Sequence, residues 1–336
     1  MASVRSRVWQ DGRLIVRDFP FEQISDFLDR DDTLTWVDLA DPDHQLLRRL
    51  AGELSLEPLA VEDAIAHVER PKALRYASHT FFTAYATECV DEADLAEPAA
   101  SGIPARLELH KVSAFVFPHG LVTVHADGFD VDDLETRWED NADLLQFGVG
   151  ALIHGLLDAV VDSHFESVQA LDDAIEAMED DLFDDRAVAA QVQRSTYQVR
   201  KELVQLRRVV LPMREVVNGV LRHRHDSGAP AGLDASYDDL YDHVLRVAEW
   251  TESLRDMVSA MFETNLSLQD SRLNNVMKKL TSWAAIIAVP TAVTGYFGQN
   301  VPYPGFNEWW GFLVSSGVIV LAGAILYLVF KRKNWI

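Results

Sequence analysis

Two long stretches near the end of the chain carry no charge, Leu280 to Asn307 and Trp309 to Phe330. A helix needs about 20 residues to cross a hydrocarbon core of about 30 Å, so each stretch is long enough to span a bilayer. Nothing else in the sequence restricts the fold so severely, because lipid admits only structures that satisfy their own backbone groups. The whole-chain mean hydropathy of −0.03 conceals the signal, since a large polar part averages out a small apolar one. The chain is read as a membrane protein with two C-terminal transmembrane helices, about 280–298 and 309–330.

Basic residues flank both spans. Lys278 and Lys279 precede the first, and Lys331, Arg332 and Lys333 follow the second. Positive charge stays on the cytoplasmic side. Both termini are therefore expected in the cytoplasm, with the protein in the cell membrane and the turn "GQNVPYPGFNEWW" outside. Tyr303, Trp309 and Trp310 suit an outer aromatic belt.

The polar remainder is strongly acidic, with 53 Asp and Glu against 30 Lys and Arg and a formal net charge of −23. Such a chain repels nucleic acid, whose binding depends on bases meeting phosphate, and its natural partners are cations. The single cysteine, Cys89, cannot form an internal disulfide. The N-terminus lacks the apolar core of a secretory signal. No phosphate-binding glycine loop, HExxH or nucleophile motif is present, so neither an enzyme nor an organic cofactor is expected.

Residues 1–150 read as a cytoplasmic α/β domain. "LTWVDLADPD" is a strand ending at an Asp-Pro breaker, "DHQLLRRLAGELSL" has helical leucine spacing, and "TFFTAYATECV" is a strand. "KVSAFVFPHGLVTVHAD" is a hairpin turning at Pro118-His119-Gly120, and "DEADLAEPAASGIPA" is a surface loop. Residues 151–279 read as a helical stalk region. It holds one amphipathic helix after Gly150, a second interrupted by Pro212, the loop "HDSGAPAGLD", and a third helix from about Ser236. That last helix meets neither Pro nor Gly before Pro290, so it runs into the membrane domain, 280–336. His223 and His225 read as solvated residues rather than a metal clip.

One stripe on the long helix stands out. Asn274, Met277, Leu280 (or Thr281), Ala284, Ala288, Thr291 and Gly295 follow steps of three and four. That spacing keeps one face toward an axis shared with copies of the same helix, and small residues permit close approach between membrane helices. The polar members Asn274 and Thr291 favour a pore lining over ordinary packing.

In "NNVMKKLT", "GYFGQN" and the terminal "KRKNWI" the chain resembles the CorA family of divalent-cation transport proteins. "VEDAIAHVERPK", "VVLPMREVV" and "YDDLYDHVLRVAEWTESLRDMVSAMFE" also look like family segments. The resemblance implies a homopentameric funnel in the bilayer, with the first spans lining a central pore, and Mg²⁺ as substrate, with Co²⁺ as a second cargo. It implies a selectivity filter at Gly298, Gln299 and Asn300; there Gln299 replaces the family's Met, a departure expected to alter selectivity or affinity rather than abolish transport. A hydrophobic gate is implied at Met277 and Leu280. Intracellular Mg²⁺ is implied as a regulatory ligand at Glu62, Asp63, Asp158 and Asp239, between neighbouring cytoplasmic domains.

Glu308, the one acid of the outer turn, would form a weak ring attracting cations or stand as a solvated loop residue. Mg²⁺ holds its water tightly, so a mouth that captures the hydrated ion needs oxygen acceptors. The inward move of two charges gains about 4.6 kcal/mol per 100 mV, enough to drive entry without ATP. Two further readings stay open at this point, a Zn²⁺ transporter of the same superfamily and a non-conducting membrane-anchored sensor or scaffold.

Overall fold

The segment "LTWVDLA" has no face for water, which is how a central strand reads. It forms β3 (Leu34–Ala40) in the middle of a seven-stranded sheet. In this computed structural model the described residues are 3–66, 69–91, 105–183, 189–226, 228–299 and 301–336. The other strands are β1 (Ser3–Gln10), β2 (Arg13–Arg17), β4 (Lys72–Arg75), β5 (Thr80–Asp91), β6 (Ala105–Phe117) and β7 (Gly120–His125). Their order is β2-β1-β3-β7-β6-β5-β4. The β3–β7 pair is parallel and the other pairs are antiparallel. The expected surface loop between β5 and β6 falls on residues 92–104, outside the described ones.

Alternation along β3 feeds two cores. Leu34 and Trp36 enter one, Val37 and Leu39 the other. Helices α1 (Ile24–Leu28), α2 (His44–Glu53) and α3 (Pro58–Ile65) cover the Val37 face, contributing Leu28, Leu47, Leu50 and Val61. The Trp36 face is covered by α4 (Val131–Asp140), α5 (Val149–Phe183), α6 (Ala189–Asp226) and the start of α7 (Asp234–Phe297). A third core joins α5, α6 and α7 to Tyr85 of β5 and Leu107 of β6 and includes Leu171, Ile175, Leu203, Leu206, Leu254 and Val258. A last helix, α8 (Trp309–Arg332), follows a short turn.

The chain divides into two compact units, Met1–Met261 and Phe262–Ile336, with the boundary inside α7. The first 261 residues thus join the sheet to α5, α6 and the early turns of α7. The expected interruption at Pro212 is absent, since α6 runs unbroken through it. Proline removes only one helical hydrogen bond, and the buried Val209, Val210, Met213, Val216 and Val217 hold the segment on both sides.

Local signals account for the helix starts. Asp43 accepts the Leu46 amide at 2.7 Å ahead of α2 and Asp130 the Asp133 amide at 2.9 Å ahead of α4, as helix caps do. The β1–β2 hairpin turns at Asp11-Gly12, both at positive φ (51° and 73°), the pairing that two-residue hairpins demand.

The Trp36 core is packed without slack. Trp36 meets Trp138 edge to face at 4.8 Å, and Gly155 of α5 lies against the same indole. A Cβ at Gly155 would sit 2.4 Å from Trp138 Nε1 and 2.7 Å from Cδ1. Gly155→Ala is therefore expected to destabilise the protein by about 1–3 kcal/mol through overpacking. A lower melting temperature of the detergent-solubilised full chain is the readout.

A buried ion pair closes the far ends of β3 and β7. His125 Nε2 lies 3.1 Å from Asp38 Oδ2 and its Nδ1 lies 2.7 Å from the Ala126 carbonyl. The chain Trp36 Nε1 to Thr123 Oγ1 (3.0 Å) to Asp38 Oδ1 (2.5 Å) completes the network. Both ring nitrogens face acceptors, so the imidazolium fits best. Burial pulls the His125 pKa down, but the Asp38 hydrogen bond and charge outweigh it and the net direction is up. A raised folded-state pKa gives stabilisation that is complete below the ordinary histidine range near 6.5 and lost as pH rises through the folded value. The melting temperature of wild type should fall relative to that of His125→Gln as pH rises above about 6.5. Parallel curves for the two proteins would contradict it.

Candidate pore helix, outer turn and acidic sites

From Phe262 onward α7 lies in the second unit, where its own chain covers little of it. Two helices, α7 and α8, contain stretches long and apolar enough to cross a membrane, and the most apolar windows are 6% and 0% buried. Every member of the sequence stripe, Asn274, Met277, Leu280, Ala284, Ala288, Thr291 and Gly295, is exposed in the single chain. Met277 is 51% and Leu280 63% exposed. At 3.6 residues per turn these positions fall on one side of the helix, and α7 is continuous across all of them.

The polar stripe residue within the membrane-length stretch is partly occupied. Thr291 Oγ1 donates to the Ile287 carbonyl at 3.2 Å, and Thr294 Oγ1 donates to the Pro290 carbonyl at 2.8 Å. Thr291 thus offers its free lone pairs and methyl outward rather than its proton.

Helix α7 ends at Phe297, and the next two residues close its last turn. The Gly298 amide bonds the Thr294 carbonyl at 2.9 Å, and the Gln299 amide reaches the Tyr296 carbonyl at 3.4 Å. Both residues are exposed. A Cβ on Gly298 would lie 3.0 Å from the Thr294 carbonyl oxygen, tighter than ordinary contact. Asn300, the third residue of the expected filter, lies outside the described residues.

The turn is shaped by aromatic packing that the sequence reading did not single out. Phe297 and Tyr303 meet edge to face at 4.9 Å, and Tyr303 also packs on Phe306 at 5.4 Å and Tyr296 at 6.4 Å. Tyr303 therefore braces the turn as well as lying at its level in the sequence. Gly305, at φ +94°, lets Trp310 approach so closely that a Cβ would sit 2.8 Å from its ring. Glu308 is exposed and stands at the residue before α8. A carboxylate there faces the positive pole of the helix, which gives it a local stabilising role.

The four acidic candidates are spread over three elements. Glu62 and Asp63 lie on α3, Asp158 on α5 and Asp239 on α7. Glu62 is exposed, and the Asp239 side chain is 71% exposed with His243 Nε2 3.9 Å away. Among the described residues, no three His, Cys, Asp or Glu side chains gather as a metal-holding group. Hard-oxygen chemistry suits Mg²⁺, so these carboxylates fit as donors, but one protomer supplies only fragments of a coordination sphere.

Two of the four carry a resident cation. Asp63 Oδ2 is 2.8 Å from Lys72 Nζ, which also reaches Glu69 Oε1 at 3.2 Å. Burial opposes the Lys72 charge, but the hydrogen bonds to Asp63 and Glu69 raise its pKa overall. Lys111 Nζ donates to the carbonyls of Asp63 (2.5 Å), Ala64 (3.2 Å) and Ala66 (2.6 Å), closing the C-terminal end of α3. Asp158 lies 3.9 Å from Arg137 Nη1, which is closer to Asp162 at 2.6 Å, while Arg137 Nε holds Asp133 at 2.6 Å. Burial first, and then the Asp162 charge, push the Asp158 pKa up. Lys72, Arg137 and Asp162 were not singled out from the sequence. The only cue was Lys72's place in "VEDAIAHVERPK", nine residues after Asp63.

Known proteins resemble this chain in sequence and in fold. The family described as CorA-like Mg²⁺ transporter protein matches residues 31–332. The chain is 27% identical over 312 residues to the cobalt/magnesium transport protein CorA of Thermotoga maritima, covering 90% of this chain and 84% of that one. It is 24% identical over 323 residues to the putative metal ion transporter YfjQ of Bacillus subtilis, covering 96% and 95%. The complete CorA magnesium transporter of Methanocaldococcus jannaschii superposes with a TM-score of 0.73 at 23% identity, covering 99% of this chain and 98% of that one. That likeness shows a common fold, with an N-terminal α/β domain, a long helix and a C-terminal apolar helix. With the family match running from β3 through the rest of the sheet, the long helix and both apolar helices, this chain belongs to the CorA-like Mg²⁺ transporter family.

Proposed function

We propose that this chain assembles as a homopentamer in the cytoplasmic membrane and passes Mg²⁺ inward, with Co²⁺ as a second cargo. The observation that carries this is the stripe from Asn274 to Gly295, exposed along its whole length and running to Gly298 and Gln299. Within the span, lipid gains nothing from the Thr291 hydroxyl on that side, whereas five copies around an axis place it on water. Both termini lie in the cytoplasm, on the side of Lys278, Lys279 and Lys331–Lys333.

At the mouth, Mg²⁺ arrives with its waters, which it gives up reluctantly. The Gly298 carbonyls, the Gln299 amides and the Asn300 amides of five chains present oxygen acceptors to those waters, and recognition acts on the hydrated ion. The Phe297–Tyr303–Phe306 cluster holds this turn against the helix end. Lower down, Met277 and Leu280 form apolar rings whose dewetting closes the path. Glu62, Asp63, Asp158 and Asp239 bind Mg²⁺ between neighbouring cytoplasmic domains. Filled sites hold the closed arrangement and empty ones release it, a shift in populations set by differential binding. The membrane potential supplies the drive.

Uptake by sealed proteoliposomes under an inside-negative voltage tests this. Wild type is expected to take up Mg²⁺, and Asn300→Ala to lose at least about tenfold of that rate, the equivalent of ~1.4 kcal/mol. Zn²⁺ entry that requires a proton gradient, with no Mg²⁺ entry, would instead favour the zinc-transporting reading. Absence of flux for every ion would favour a sensor. In the same assay Gln299→Met is expected to change the ratio of Mg²⁺ to Co²⁺ uptake, and an unchanged ratio would remove Gln299 from selectivity.

A further inference from the structure

Asp63 already holds a cation of the protein's own. The Lys72, Asp63 and Glu69 side chains are 21%, 20% and 24% exposed, so their contacts at 2.8 and 3.2 Å are only partly screened by water. The geometry is fixed from both sides. Lys72 stands on β4, in register with Thr83 of β5. Lys111, reaching from β6, clamps the carbonyls at the end of α3 that carries Asp63. Asp63 therefore cannot swing to a new partner while Lys72 stays behind.

A divalent ion ligated by Asp63, or by its water shell, needs the space and the lone pairs that the ammonium now takes. Two cations against one carboxylate repel, so filling requires exchange. Lys72 has somewhere to go. A cavity of about 550 Å³ adjoins it, lined also by Arg70, Asn218, Arg222 and one acid, Glu215 of α6. A flexible four-carbon stem spans such a shift without moving the backbone.

We propose that Lys72 is a tethered counter-cation that occupies the Asp63 carboxylate until a divalent cation displaces it, and so sets the concentration at which the cytoplasmic site fills. This rests on the regulatory role proposed above for Asp63. It adds that the threshold is set within a single protomer, by a competitor whose effective concentration is constant. Removing the competitor must tighten divalent binding; a merely structural ion pair would, when broken, loosen α3 and weaken it.

The test is Mg²⁺ titration of the full-length detergent-solubilised protein, read as protection from limited proteolysis and as rise in melting temperature. Lys72→Met is expected to lower the Mg²⁺ midpoint about fivefold, ~1 kcal/mol at 1.4 kcal/mol per tenfold. Lys72→Gln, which keeps a hydrogen-bonding head without the charge, should shift in the same direction, and Lys72→Arg should not. In an Asp63→Asn background, Lys72→Met should have no further effect. An unchanged or raised midpoint in both Lys72→Met and Lys72→Gln, with Asp63→Asn weakening Mg²⁺ protection, would overturn the proposal and leave the regulatory site standing. A midpoint unaffected by Asp63→Asn would instead overturn the regulatory assignment of Asp63, and the proposal with it.

Discussion

A helix in hydrocarbon can close its own backbone hydrogen bonds but cannot cover its own side chains. That limit governs the apolar stretch of α7 and all of α8. Lipid is a good solvent for Leu313, Val320, Leu321 and Ile325 of α8, all of which are exposed in the single chain. It is a poorer one for the hydroxyl of Thr291 on α7, which is also exposed. The two apolar helices thus present side chains of different solvent preference. In the first unit, by contrast, the sheet buries both faces beneath its own helices.

Within that unit the few bases are spent against specific acids. Arg7 grips Glu135 with two nitrogens, at 2.5 and 2.9 Å, while reaching Asp18 at 2.8 Å, and so ties β1 to α4. Arg137 joins Asp133 to Asp162 across α4 and α5. Lys72 and Lys111 secure α3. In a chain with 23 more acids than bases, the excess negative charge is left on surfaces such as the start of α7, where Asp238, Asp239 and Asp242 follow each other within five residues.

The membrane helices were legible because length and the absence of charge are signals with few alternative meanings. The strand β3 and the β6–β7 hairpin were legible because apolar runs bounded by Asp-Pro or Pro-His-Gly leave little choice. The first strand was not. In "SVRSRVWQ" no local signal marks an arginine as buried, yet Arg7 is 6% exposed because its partner Glu135 arrives 128 residues later in the chain. The roles of Lys72 and Arg137 were hidden for the same reason, as they follow from which strand and helix lie side by side. The resemblance to a transporter family supplied the acidic candidates, but not the cations that answer them. Gly298 and Gln299 lie at the end of α7, while the aromatic brace around Tyr303 depends on how the chain doubles back.

Pro290 sits inside α7 between Ala288 and Thr291, and a proline has no amide proton to give the Ile286 carbonyl. The ladder of a 64-residue helix therefore lacks one rung at that level, while Thr291 and Thr294 lean their hydroxyls on neighbouring carbonyls. A rod with one missing strut bends there before it bends elsewhere. Torque along the helix would rotate Thr291 and Gly295 relative to Met277 and Leu280, so the two ends of the stripe are mechanically separable parts of one continuous element.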